Sequence, residues 1–306
     1  MSIKKYLTSA VALAMVGMAS LVNAGEITHE LGVTNVPDAP KRIIVLEFSF
    51  IDALASVGVS PVGIADDKKR DRVIPAYTDV IGNEWVSVGT RKTPSLEIMA
   101  SLNPDLIIAD KTRHSAVYEA LSEIAPTIVL DSLSGNYPES VEQMSIIGKA
   151  IGKSEQMEAR VAAHKATMKD YIAQMKNTGN YVAQFGVTNK TGLFLHSPVS
   201  YNGSLLELFG FKSNMVKTNG DTYDENYVET SLEQLSVVNP DILILGKYAD
   251  PAHTDSWAEE PLFKQLTAVK NGNVYNITAH NWSRLRGMLA AELTAADLLE
   301  IMKKVK

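Results

Sequence analysis

Ser95-Leu96-Glu97-Ile98-Met99-Ala100-Ser101-Leu102-Asn103-Pro104-Asp105-Leu106-Ile107-Ile108-Ala109-Asp110 returns 136 positions later as Ser231-Leu232-Glu233-Gln234-Leu235-Ser236-Val237-Val238-Asn239-Pro240-Asp241-Ile242-Leu243-Ile244-Leu245-Gly246. Seven of the sixteen positions are identical, and most of the others exchange one apolar residue for another. That interval is too long for a solenoid, whose periods run roughly 20 to 50 residues. It fits two similar α/β lobes side by side, with the cleft between them as the natural place for a ligand. Each copy reads as a helix started by its serine, an Asn-Pro-Asp turn that the proline forces, and a buried strand.

Outward from the repeat, short apolar runs alternate with helical patterns, the signature of parallel α/β structure. Residues 43–46, 62–65, 86–88, 106–109 and 127–130 read as strands of a first lobe, and 182–187, 242–245 and 274–277 as strands of a second. Residues 50–57 and 289–303 read as helices. Between the lobes, residues 155–176 lack Pro and Gly, and Met157, Val161, Met168, Ile172 and Met175 form one helical stripe. Ser154 stands ready to cap this segment and Gly179 lies past its end. A helix of that length, roughly 33 Å, spans two lobes; the same pattern also fits an ordinary surface helix of one lobe. The expected organisation is an export signal over 1–24, an α/β lobe over 25–153, a linker helix over 154–178 and a second α/β lobe over 179–306. Residues 218–226 are polar and read as a surface loop.

The signal reading rests on Lys4 and Lys5, the apolar stretch 10–21, and Val22-Asn23-Ala24 as a small-residue cleavage site. The apolar stretch is short for a bilayer of about 30 Å. Cleavage after Ala24 would leave 282 residues, long enough for two domains. Losing Lys4 and Lys5 would take the net charge from −6 to −8. Nucleic acid and anionic lipid are poor partners for so acidic a chain. The chain has no cysteine, so Ala24-Gly25 offers no lipoprotein anchor. The expectation is a freely soluble periplasmic protein.

Open α/β sheets bind ligands beyond the carboxyl ends of their strands, so the residues after each strand carry the chemistry. Those positions hold Arg91, Arg113, Arg284, Arg286, Lys190, and Lys247 with Tyr248. Arginine presents a planar fork that matches carboxylate or phosphate. A set of arginines from both lobes predicts a small polyanion in the cleft, although a single loop arginine is more often solvated or paired. Trp282 and Tyr201 fit either a cleft wall or the core. Asp66-Asp67 and Glu259-Glu260 read as solvated surface. The six histidines show no close pair, and with no cysteine, H-E-x-x-H or calcium-loop pattern a bare metal site is not expected. Any metal should arrive inside an anionic chelator. Neither a nucleophile elbow nor a phosphate- or dinucleotide-binding loop is present in the sequence.

Residues 42–54, 63–67, 87–91, 94–97, 107–110, Arg113-His114 and 282–292 resemble the periplasmic ferric-dicitrate-binding proteins, within the iron-siderophore and vitamin B12 import class. The similarity runs from about residue 40 to the end and weakens over 198–261. The resemblance implies two Rossmann-like lobes joined by a single long helix, no catalysis and no cofactor. It implies capture of ferric citrate, or of another citrate-containing carboxylate siderophore, for an inner-membrane ABC permease and its ATPase. A monomer is the family expectation. It further implies that Glu97 and Glu233 dock against the permease and that Arg91, Arg113, Arg284 and Arg286 hold the ligand's carboxylates. Ser49 and Glu47 stand at the mouth of the first strand beside them. Four arginines overmatch haem or cobalamin. From other classes, a periplasmic hydrolase on the same scaffold and a binder of bare zinc or manganese remain as alternatives.

Overall fold

The computed structural model describes residues 25–220 and 222–306, so the expected export signal lies outside the described residues. The first sheet contains β3 (Ile43–Val45), β4 (Gly63–Ile64), β5 (Val86–Ser87), β6 (Leu106–Asp110) and β7 (Thr127–Leu130). Its order is β5-β4-β3-β6-β7, all parallel. Against the edge strand β7, β1 (Gly25–His29) and β2 (Gly32–Val36) form an antiparallel hairpin. The second sheet contains β8 (Ala183–Thr188), β9 (Leu193–His196), β10 (Tyr227–Thr230), β11 (Ile242–Lys247) and β12 (Val274–Thr278). Its order is β10-β9-β8-β11-β12, with β8, β11 and β12 parallel and β9 antiparallel to both of its neighbours, β8 and β10. Successive strand residues face opposite sides. Ile43 and Val45 therefore enter one core while Ile44 and Leu46 enter another, and Ile244 and Leu245 divide the same way.

The repeat does the same work in both lobes. Ser95 and Ser231 cap their helices by accepting from Ile98 N and Gln234 N. Asn103 and Asn239 take left-handed backbone, with φ of 44° and 40°, which asparagine tolerates. The aspartate that follows then ties the neighbouring strand. Asp105 accepts from the amides of Lys41 and Arg42, and Asp241 from that of Val182. These bonds join β3 to β6 and β8 to β11 at their amino-terminal ends, the two neighbouring pairs at which each strand order reverses, so the duplicated stretch ties the middle of each sheet.

The helix Ser154–Gln174 passes between the two cores, with Met157 in the first and Met168 in the second. Ser154 is its first helical residue rather than its cap, which is Lys153 without a side-chain bond. Two further helices are shared in the same way. Tyr137–Ala150 gives Met144 and Ile147 to the first core and Tyr137 and Val141 to the second. The C-terminal helix Met288–Met302, with Leu285 just before it, gives Leu285, Met288 and Ala290 to the first core and Ala291, Ala295 and Leu298 to the second. Buried His164 links all three, through Tyr137 Oη at 2.9 Å and Glu292 Oε1 at 2.8 Å.

The start of the C-terminal helix is docked on the first lobe by Asp52, from the helix Phe48–Ser56. Asp52 accepts from the amides of Met288, Leu289 and Ala290 and from Tyr77 Oη. Burial outweighs these bonds and pushes its carboxyl from 3.8 up to about 6. Asp110 is raised to about 6 as well, by burial and then by the charge of Glu47. A folded pKa above the unfolded one means that the stability contribution is complete below about pH 4 and is lost as pH rises through about 6. For Asp52 that is roughly 3 kcal/mol. Asp52→Asn should therefore flatten the dependence of the urea midpoint on pH between 4 and 7. An unchanged slope would show that Asp52 titrates normally.

Candidate functional site

The carboxyl ends of both sheets open on one cleft of about 350 Å3, lined by Arg91, Arg113, Arg284 and Arg286 together with Phe194, His196, Tyr223, Tyr227 and Tyr248. Arg91 follows β5 and Arg113 follows β6, so they come from the first lobe. Arg284 and Arg286 follow β12 and the short helix Ala279–Ser283. The two pairs thus meet from opposite lobes. No lining residue is an acid.

The first pair is already neutralised from behind. Glu47, only 2 % exposed, stands at the end of β3 and receives Arg91 Nη1 at 3.0 Å and the Arg113 guanidinium. Burial raises the Glu47 carboxyl, but Arg91, Arg113 and Arg286 outweigh it and hold the group below its ordinary value. Asp67 accepts from Arg91 N at 3.0 Å and from Arg91 Nε at 3.1 Å, and pairs with Arg72 at 2.6 Å. Its backbone is left-handed, with φ of 61°, which aspartate tolerates. His114, fully buried, accepts from Asp110 N through Nδ1 and so donates Nε2–H to the carbonyl of Arg91 at 2.8 Å. Phe48 lies under the Arg91 guanidinium at 4.7 Å.

The second pair has no such partners. Arg284 is half-buried and stacks on Tyr248 at 4.2 Å, and among the described residues it makes no ion pair. Burial, together with the charges of Arg72 and Arg91, pulls its guanidinium below the usual range. Arg286 is buried and donates to Ser132 O and, at 2.6 Å, to Tyr227 Oη. His196 packs on Phe185 and Tyr227, and burial with the Arg286 charge pushes it down to about 3, leaving it neutral.

Several expectations are corrected by this geometry. Tyr201 and Trp282 do not wall the cleft. Each is 1 % exposed in the second core, Tyr201 donating to Gly287 O and Trp282 to Asp297. Ser49 and Glu47 sit behind the lining, Ser49 donating to Ser132 Oγ at 2.7 Å. Lys190 is exposed and absent from the lining, and Lys247 turns to Asp255, leaving Tyr248 alone of that pair in the cleft. Asp66-Asp67 is not a solvated pair: Asp66 is buried and accepts from Trp85 Nε1 and Ser87 Oγ, and Asp67, partly buried, anchors Arg91. Glu259 is exposed and pairs with Lys264. Glu97 and Glu233 are exposed in the first turns of their equivalent helices. Among the described residues no three of His, Cys, Asp and Glu group to hold a metal ion, and no helix is long and apolar enough to cross a membrane.

Two α/β lobes closing on a cationic, acid-free cleft define a ligand-capturing protein, and the chain belongs to the periplasmic binding protein family, matching it over residues 43–280. Members of that family bind their ligands rather than transform them. Across 274 residues it is 40% identical to the Fe(3+)-citrate-binding protein YfmC of Bacillus subtilis (strain 168), covering 90% of this chain and 84% of that protein. It is 38% identical to the Fe(3+) dicitrate-binding periplasmic protein FecB of Escherichia coli (strain K12), covering 91% and 90%. Among solved structures, Staphylococcus aureus SirA complexed with staphyloferrin B shares the fold, with a TM-score of 0.78 at 24% identity over 92% of this chain and 99% of that one.

Proposed function

We propose that this chain captures iron(III) citrate, or a similarly compact anionic iron chelate, between its lobes and presents it to an inner-membrane ABC permease. The observation that carries this reading is Arg284, a half-buried cation with no acid partner among the described residues, facing a cleft it shares with three other arginines. A desolvated guanidinium without a protein acid beside it gains most from an anionic partner. The volume, about 350 Å3, lies at the low end of ligand pockets, which run from ~300 to 1,000 Å3. That favours a small chelate over a large siderophore. The names of the two curated relatives support iron citrate. Iron enters inside its chelator, and the protein meets carboxylates, not metal. Glu97 and Glu233, one on each lobe, are the charges assigned to the permease. No bond is made or broken, and the protein works in the periplasm.

A second reading, a citrate-containing carboxylate siderophore, draws on the aromatic side of the cleft, where Phe194, Tyr223 and Tyr248 offer apolar faces to a longer spacer. Titration calorimetry with iron(III) citrate, iron-free citrate and iron alone separates the two. Saturable binding of iron citrate supports the first. Heat only from a larger citrate siderophore moves the assignment to the second. Arg284→Ala should weaken iron citrate by roughly 30-fold or more, since truncating one partner of a desolvated charge pair costs about 2–5 kcal/mol. The urea midpoint without ligand should stay put, because no partner of Arg284 is orphaned. Equal affinity in the variant would remove Arg284 from the site.

A further inference from the structure

Two side chains of the second lobe cross the cleft and end on the backbone of the first. Tyr227 Oη donates to Leu133 O at 2.7 Å. Arg286 donates to Ser132 O through Nη1 and to the Tyr227 hydroxyl through Nη2. Both side chains are buried. The loop that receives them is fixed from the other side. Ser132 N and Leu133 N each donate to Asp110 Oδ2 at 2.9 Å, and Ser49 Oγ donates to Ser132 Oγ. The amides of this loop are therefore tied to the first lobe and its carbonyls to the second. Asp110 also accepts from Arg113 N, so one carboxylate seats both the loop and a cleft arginine.

We propose that Arg286, Tyr227 and the Ser132–Leu133 carbonyls form a clasp that sets the separation of the lobes before any ligand arrives. On this reading, which rests on the cleft being the ligand site, Arg286 and Tyr227 are positioning residues. Arg286 spends both terminal nitrogens on protein acceptors, whereas Arg284 spends none of its donors that way. A clasp made without ligand leaves little closure for the ligand to drive. It also fixes the spacing between Arg284 on one lobe and Arg91 and Arg113 on the other, and so the size of polyanion that bridges them.

The chain has no cysteine, so a spin-label pair is introduced without background. Exposed Val80 and Val237, one on each lobe, serve as Val80→Cys and Val237→Cys. Distances between the labels are measured by pulsed EPR in the otherwise unchanged protein, in Tyr227→Phe and in Arg286→Gln, each without ligand and with saturating iron(III) citrate. Tyr227→Phe keeps the ring and the arginine and removes only the hydroxyl, so it tests the clasp even where Arg286→Gln fails to fold. In the parent, one narrow distance should persist in both states. In Tyr227→Phe the ligand-free distribution should widen or lengthen and then narrow on binding, with affinity reduced about 3- to 10-fold. A ligand-free distribution identical to the parent's overturns the clasp, whatever the affinity does. Because the decisive comparison is made without ligand, it stands even where iron citrate proves to be the wrong chelate.

Discussion

Glu47→Gln should lower the stability of the ligand-free protein by about 3–5 kcal/mol, the usual cost of stripping one partner from a buried ion pair. Glu47 is 2 % exposed and faces the guanidinium groups of Arg91 and Arg113, with the charge of Arg286 also felt there. Glutamine keeps the shape and removes the charge, so Arg113 loses its acid while Arg91 keeps only Asp67. The depressed pKa of Glu47 gives the sign with pH. Its contribution is present above the ordinary glutamate value and is lost as pH falls through the lower folded value, so the variant's deficit should shrink on acidification. A polyanion in the cleft would supply the missing negative charge, and iron citrate should therefore raise the urea midpoint more in the variant than in the parent. An unchanged ligand-free midpoint would show that Glu47 does not organise the arginines. Loss of ligand binding at unchanged stability would make it a direct ligand contact instead.

The second large effect is expected at Gly287. Its φ is 116°, in the region only glycine enters freely, and a Cβ there would lie 2.4 Å from Asp52 Cγ. Gly287→Ala would have to strain the backbone, at about 1–3 kcal/mol. It would also have to push away the carboxylate that accepts three amides at the start of the C-terminal helix. Each buried amide left without an acceptor adds about 1–3 kcal/mol, so a loss of ~4 kcal/mol or more is expected. Because the joint belongs to both cores, the two lobes should lose stability together, in one transition by far-UV dichroism and by tryptophan fluorescence. A variant that unfolds at the parent's midpoint would show that the joint tolerates a methyl group and is not the tight contact described.

How much of this was legible follows from what each strand is surrounded by. The parallel strands were found because both their faces are buried, which writes them as continuous apolar runs such as 106–109 and 242–245. The strands β9 and β10 were not, since each is only four residues long and Tyr227–Thr230 directly follows the polar stretch 218–226 that reads as loop. The hairpin of β1 and β2 is short and half-exposed and was passed over, as was the helix Tyr137–Ala150, although its apolar positions Tyr137, Val141, Met144 and Ile147 recur at helical spacing behind the cap Asn136. The four arginines were found by the rule that ligands sit past strand ends. The aromatic side of the cleft was missed because Phe194, His196 and Tyr227 belong to the unread strands, and only Tyr248 follows a recognised one. Tyr201 and Trp282 fitted wall and core equally well, because size and polarity are properties that a core tyrosine and tryptophan share with those of a cleft, and the structure places both in the core. Nothing in the sequence separates an acid behind an arginine from one exposed to water, so the parts played by Glu47 and Asp67 had to come from the structure.

The C-terminal helix begins in the first core and ends in the second, and this bears on when each lobe can complete its packing. Ile43, Leu54 and their neighbours are among the first residues synthesised, yet Leu285, Met288 and Ala290, which complete their packing, are among the last. An amino-terminal lobe emerging alone has an open face and no cap on Asp52, so its native state waits for the carboxyl terminus. Large proteins usually fold domain by domain as they are made, the first lobe ahead of the second. Here the residues made last complete the core of the first lobe, so that lobe cannot finish early. The same topology means that neither half, made separately, should yield a stable lobe.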